Sequence, residues 1–262
     1  MKGRGLLTIR VGSSMLSFTT LDAANVESPI VYEPYNVKSG ISMAANLRAA
    51  FKEMTITAEK TQVLIDGKVL MMPLEQFQEN SAEQFYFHSF PQNSQMSVIY
   101  NVLPELNAVA LFGINKDVRL VLHDNVAGAA AIHLMSPVWR YLYSRSFTGH
   151  RRKLYGYFHD KQLEIFSFQQ NRFKFCNTFD ALQAHDSLYF LLYVWKQLNL
   201  QPEHDELHLV GDIPEREWLV LELKKYLQNS YVINPAVEFN HAPATQIPDM
   251  PFDLMTVLTK GR

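Results

Sequence analysis

Of the 262 residues only one is cysteine, Cys176, which excludes an internal disulfide. Its neighbours in "FKFCNTF" read as the interior of a strand, where a thiol behaves as a small apolar group, and a reducing cytoplasm is the compartment this fits. An excess of one charge is also missing. With 24 basic and 26 acidic residues the formal net charge is -2, so no overall positive field draws the chain to nucleic acid or anionic lipid, and "HRRK" at His150–Lys153 is too short to change that. No apolar run reaches the roughly 18 to 20 residues of a spanning helix; the longest candidate, "LYFLLYVW" at Leu188–Trp195, is expected to be a buried helix. The N-terminal stretch is interrupted by Thr8, Arg10 and Gly12 and carries no signal-peptide pattern, so mature structure is expected there. What remains, 47% hydrophobic and 19% charged, is the composition of a folded protein with one large domain or two ordinary ones.

The second half is the easier to read. "KLYGYFHDKQLEIFSFQQNRFKFCNTFD" holds three aromatic and β-branched runs separated by turns at His159–Lys161 and Gln170–Asn171, which predicts an antiparallel meander. Leu188, Leu191, Leu192, Trp195 and Leu198 then recur at helical spacing, with Asp186 as the expected N-cap. A strand over Glu206–Val210, a helix from Pro214 to about Asn229 and a strand in "SYVINP" complete the order strand, strand, strand, helix, strand, helix, strand. The first half opens alike, with strands over Leu6–Val11, Met15–Leu21 and Ile30–Tyr35, a helix over Ser42–Met54 and a strand over Gln62–Ile65. An insertion follows: "LIDGKVLMMP" reads as a hairpin with an Asp-Gly turn, "QFQENSAEQ" is polar, and "FYFHSF" and "MSVIYNVL" read as strands. The core order is then expected to resume with "AVALFGI" as a strand, a helix capped by Asn115, the strand "AAIHLM" and a helix from Pro137. The expected division is residues 1–149, with an inserted segment near 73–97, and 150–262, ending in a C-terminal tail.

A meander followed by alternating helices and strands implies a mixed sheet covered by helices, because parallel strands need crossovers. Two such units would leave a cleft. Ligands of open α/β sheets sit beyond the carboxyl ends of the parallel strands, which gathers the Gly12–Ser14 turn, Asn177–Asp180 and Gly211–Asp212 as site candidates.

At these turns the chain resembles the actin-like ATPase superfamily, whose two ribonuclease-H-like halves enclose ATP. There the first hairpin reads roughly Asp-x-Gly-Ser/Thr, the second half repeats Asp-x-Gly, and a later strand ends in Gly-Gly against the adenosine. Gly12, Ser13 and Ser14 match the first turn and Gly211 the last, but Arg10 stands in place of the first aspartate, Tyr157 or His159 near the second, and Asp212 replaces the second glycine. More closely, "LTIRVGSSMLSF", "FCNTFDALQAHDSLYFLLYVWKQL" and "LHLVGDIPEREWLVLELKKYL" resemble an uncharacterised bacterial family known from Bacteroidetes, with Asn177–Phe179, Asp186, Tyr189 and Gly211 carrying the likeness. The implied fold is a two-lobed actin-like one built from duplicated ribonuclease-H-like units.

In such ATPases the aspartates hold Mg²⁺ through oxygen ligands, which arginine cannot do. Arg10 would either contact an anion directly or pair with a carboxylate. The His-Asp pairs at 123–124, 159–160, 185–186 and 204–205 fall where Asp has capping and turn roles, so no metal site is expected. Asn177 and Asp186 would tie a strand to the next helix, or line the cleft with Asp180 and Asp212. The expectation is a non-catalytic cytoplasmic binding or scaffold protein that has lost the Mg-ATP site, needs no cofactor and engages an unidentified protein partner, with the inserted segment as the surface to test. The alternative is a divergent nucleotide-binding protein or ATPase using Arg10, Ser13, Ser14 and Gly211. A third reading, a sugar or acyl kinase relative, would take its base from Asp180 or Asp212.

Overall fold

The computed structural model describes residues 5–21, 30–55, 58–91, 95–147, 150–169 and 172–260. The expected Gln170–Asn171 turn and residues 148–149 of the expected boundary lie outside these. The chain divides into two compact units: Met1–Leu103, Val109–Val138 and Pro243–Arg262 form unit 1, and Pro104–Ala108 with Trp139–Ala242 form unit 2.

In unit 1, β1 (Leu6–Val11), β2 (Met15–Leu21) and β3 (Val31–Asn36) form the antiparallel meander; α1 (Met43–Glu53) crosses over and β4 (Lys60–Ile65) returns parallel to β1. Ser42 caps α1, its side chain accepting from the Ala45 N–H at 3.2 Å. The inserted part comprises β5 (Val69–Pro73), α2 (Ala82–Ser89), β6 (Met96–Leu103) and β7 (Ala108–Asn115), after which α3 (Lys116–Asn125) leads to β8 (Ala130–His133), parallel to β4. The sheet order is β3-β2-β1-β4-β8. Leu7, Ile9 and Val11 of β1 pack with Leu47 and Ala50 of α1 and Val118 and Val121 of α3, the period-two face of a strand against the apolar stripes of two helices.

Three expectations for the insertion are corrected. No β4–β5 hairpin forms at Asp66–Gly67, because both edges of β4 are already taken, by β1 and β8; β5 pairs instead in a separate three-stranded sheet of order β5-β7-β6. "AVALFGI" is therefore a strand, but of that second sheet. "FYFHSF" is helical within α2: its aromatic residues favour strands locally, yet Ala82 and Tyr86 are buried one turn apart and Tyr86 packs on Phe90 with ring centroids 4.9 Å apart. The inserted part accordingly spans β5 to β7, wider than residues 73–97.

Past α4 (Ser136–Ser146), unit 2 repeats the plan. β9 (Lys153–His159), β10 (Gln162–Gln169) and β11 (Arg172–Asp180) make the meander, α5 (Ala184–Gln197) crosses over, and β12 (Glu206–Gly211), α6 (Arg216–Lys224) and β13 (Ser230–Val232) follow. The order β11-β10-β9-β12-β13 reproduces that of unit 1, so the duplication is real in three dimensions. The N-cap of α5 is Gln183 rather than Asp186, which lies in the first turn, where its charge favours the helix dipole. After α7 (Pro235–Glu238) the chain does not end in unit 2: residues 243–260, with α8 (Phe252–Lys260), belong to unit 1, whereas the expected division kept them with the second half. Among the described residues no helix is long and apolar enough to cross a membrane.

Candidate functional site

The carboxyl ends of β1 and β4 are where the chain leaves the sheet in opposite directions, the crevice position of open α/β sheets. A cavity of about 440 Å³ opens there in unit 1, bordered by Gly12, Ser13, Ser42, Asp66, Lys68 and Asp117. Two helices begin at it. Besides Ser42 on α1, Asn115 caps α3, accepting from the N–H groups of Asp117 at 2.9 Å and Val118 at 3.3 Å. Their amino-terminal dipoles and Lys68 attract an anion, while Asp66 and Asp117 supply oxygen to a cation or a hydroxyl. One wall depends on a glycine: a Cβ on Gly113 would stand 2.7 Å from Tyr86 Oη, which donates to the Lys68 carbonyl at 3.2 Å.

Ser13 and Ser14 are exposed in the β1–β2 turn, with the Gly12 N–H donating to the Met15 carbonyl at 3.1 Å and the Val37 N–H to that of Ser14 at 3.0 Å. Ser13 borders the cavity. Arg10 does not: strand alternation sends it to the other face of β1, where it is 1% exposed and its Nε lies 3.0 Å from each carboxylate oxygen of Asp253 on α8, which is 0% exposed. Its Nη1 also donates to the Met15 carbonyl at 3.4 Å. A guanidinium has no lone pair to offer a cation. Tyr32 Oη donates to the Asp249 carbonyl at 3.2 Å on the same segment, and burial pushes its pKa up to about 12.

In unit 2 the registers place Asp180 opposite Gln162, Gln162 opposite His159, and Gly211 opposite Phe158, so Asp180, His159 and Gly211 share one end of the sheet. Gly211 has φ +98° and an added Cβ would lie 2.0 Å from the Phe158 carbonyl oxygen, so its absence lets β12 end against β9. The Asp212 N–H donates to that same carbonyl at 2.9 Å, and its side chain is exposed, as is that of Asp180. Asn177 Oδ1 accepts from the Thr178 N–H at 3.0 Å, and Asp186 is exposed on α5; among the described residues neither side chain makes a hydrogen bond between β11 and α5.

Of the His-Asp pairs, 159–160 is buried, with His159 Nδ1 3.2 Å from Asp160 Oδ2 and Nε2 4.0 Å from Glu164 Oε1. Thr178 Oγ1 donates to Glu164 Oε1 at 2.7 Å. Burial, and then the Glu164 charge, push the Cys176 thiol well above its ordinary pKa, which disfavours the thiolate. Asp205 accepts from the N–H groups of Gln201 at 2.6 Å and Arg152 at 3.2 Å, a loop-tying role. Sequence reasoning missed Asp66, Lys68 and Asp253. Asp66 directly follows a parallel strand, a signal masked by the Asp-Gly hairpin reading; Asp253 is a lone carboxylate in an apolar helix, which must find a partner when buried.

No curated protein is similar to this chain. A solved structure from Bacteroides thetaiotaomicron VPI-5482, described as a protein with actin-like ATPase fold and unknown function, is 28% identical with a TM-score of 0.87, over 98% of this chain and 96% of that one. A type IV pilus biogenesis complex, PilM-PilN, contains a chain similar in fold, with a TM-score of 0.58 at 13% identity over 98% of each chain. The fold is thus the actin-like ATPase fold, assembled from the duplicated units described above. Residues 3–230 match the profile of the family described as protein of unknown function (DUF3822), and the chain belongs to that family.

Proposed function

We propose that this protein is a non-hydrolytic member of the actin-like fold that works by binding a protein partner. The observation that carries the reading is the Arg10–Asp253 ion pair: the strand that presents a Mg²⁺-positioning aspartate in ATPases of this fold carries a buried cation instead, already neutralised from within. The PilM-PilN structure supports the partner half of the reading at the level of fold only, since its actin-like chain stands in a complex with another protein. The inserted sheet and α2, with Phe85 exposed, are the surface assigned to the partner.

Thermal melting and phosphate release with millimolar Mg-ATP test the first half. A ligand at a hundredfold its Kd stabilises by about 2.7 kcal/mol, so binding would be plain; no shift and no phosphate are expected. Turnover that disappears in Asp66→Asn would sink the reading. A second reading, a nucleotide or phosphate held without hydrolysis, is favoured by the placement of Gly12 and Ser13 beside Lys68 at the unit 1 cavity. It requires a melting shift with ATP alone that Lys68→Met removes.

A further inference from the structure

Unit 1 holds a second cavity, of about 210 Å³, bordered by Arg119, Leu122 and His123 of α3, whereas the first is bordered by Asp117 and Val118 at the start of that helix. It lies where β8, the edge strand of the five-stranded sheet, meets β6. Asn101 of β6 bridges that junction, its Nδ2 donating to the Ala131 carbonyl at 3.0 Å and its Oδ1 accepting from the His133 N–H at 2.7 Å. Val63, Ile99, Ile114 and Leu122 line the chamber, together with Val126 and the short side chains of Gly128, Ala129 and Ala131. Gly128, at φ +80°, turns the chain into β8, and no long side chain from this run fills the space.

The mouth differs in chemistry from the walls. Arg119 and His123, one turn apart on α3, border it. Arg119 is exposed and has no hydrogen-bond or ion-pair partner among the described residues. His123 Nδ1 lies 3.7 Å from Asp124 Oδ1, and the Arg119 guanidinium is the side chain bordering the mouth that is always charged. We infer that this chamber binds a short-chain alkyl carboxylate, with its tail among Val63, Ile99, Ile114 and Leu122 and its head on Arg119. Walls without polar side chains reject sugars and nucleotides, whose hydroxyls would be buried unpaired. The volume is below the ~300–1,000 Å³ of sites for drug-sized ligands, which holds the tail to a few carbons. A guanidinium fork matches the two oxygens of a carboxylate, so an acid is preferred over the corresponding alcohol. The chamber shares Ile114 with the first cavity and takes Ile99 and Ile114 from the inserted sheet, but its test reads small-acid affinity and so stands or falls apart from the partner reading.

The test is calorimetric titration of the full chain with acetate, butanoate, hexanoate and octanoate, and with 1-hexanol. Affinity is expected to rise about fourfold per methylene until the chamber is full and then to level off. Arg119→Gln, a surface change, is expected to weaken hexanoate by about tenfold or more while leaving 1-hexanol unchanged. Ala131→Leu, and Ile99→Phe as a second filling change, are each expected to abolish binding of both in protein whose melting remains cooperative. Absence of binding to the wild type at millimolar hexanoate, equal affinity for acid and alcohol, or hexanoate binding unchanged by Arg119→Gln would each overturn the inference, as would binding that survives either filling variant.

Discussion

Arg10 and Asp253 are each the sole charge among apolar neighbours in their own segments, "LLTIRV" and "FDLMTVL". Buried, they hold one another; singly, either would leave a charge in the core of unit 1. Arg10→Met or Asp253→Leu alone is therefore expected to cost about 3–5 kcal/mol in urea unfolding, and the double variant to recover most of it, since a well-packed apolar pair can replace a buried ion pair. Gly211 carries the other sharp residue-level expectation. Gly211→Ala combines a left-handed φ with a Cβ inside the Phe158 carbonyl, so a loss of about 2 kcal/mol or more is expected in the same measurement. His208 supplies a pH dependence. Burial is the main cause that lowers its pKa below 6.5, with Glu206 at 2.9 Å opposing and Lys153 adding to the drop. The unfolded chain therefore takes up the proton first as pH falls, and the stability contribution is lost as pH drops through the unfolded value, levelling off below the folded one. Unfolding midpoints measured at about pH 5 and about pH 8 should differ less in His208→Gln than in the wild type. At this scale the sequence was legible for Arg10 as an anomaly, but its partner was 243 residues away and no local pattern pairs two distant lone charges.

Elements whose signal is local are readable in the sequence itself: the meanders, the cap at Asn115 and the crossover helices follow from period and capping chemistry. The insertion is not, because its pairing is decided by which edges are vacant. An Asp-Gly turn specifies a hairpin only if the preceding strand has a free edge, and β4 has none. The cavity residues Asp66 and Lys68 were lost to the same error. Asn101 is the element-scale test of this arrangement. Asn101→Leu removes both hydrogen bonds across the β6–β8 junction and is expected to cost about 1–3 kcal/mol, with faster hydrogen exchange at the His133 amide. Asn101→Asp keeps the acceptor to His133 and loses the Nδ2 donor to the Ala131 and Tyr100 carbonyls, so His133 protection should survive it better.

Both ends of the described chain belong to unit 1, with most of unit 2 supplied by the segment between them. The repeated element order made the duplication visible from sequence, whereas the return of the last helix to the first unit leaves no trace in local periodicity. Deleting residues 243–262 removes Asp253 together with the buried Phe252, Leu254 and Leu258. Cooperative melting and amide protection are expected to be lost in β1, β2 and β4 while the β9–β10–β12 sheet keeps its protection, which hydrogen exchange resolves unit by unit.

The same long closure orders events during synthesis. At ~5–20 residues per second, Arg10 leaves the ribosome roughly 12–50 s before the carboxylate 243 positions later that neutralises it. Unit 2, whose segments are all translated by residue 242, has its full sequence while unit 1 still lacks its last helix. The half of the molecule whose first strands are made earliest is thus the half that can finish folding only after residues 243–260 have been added.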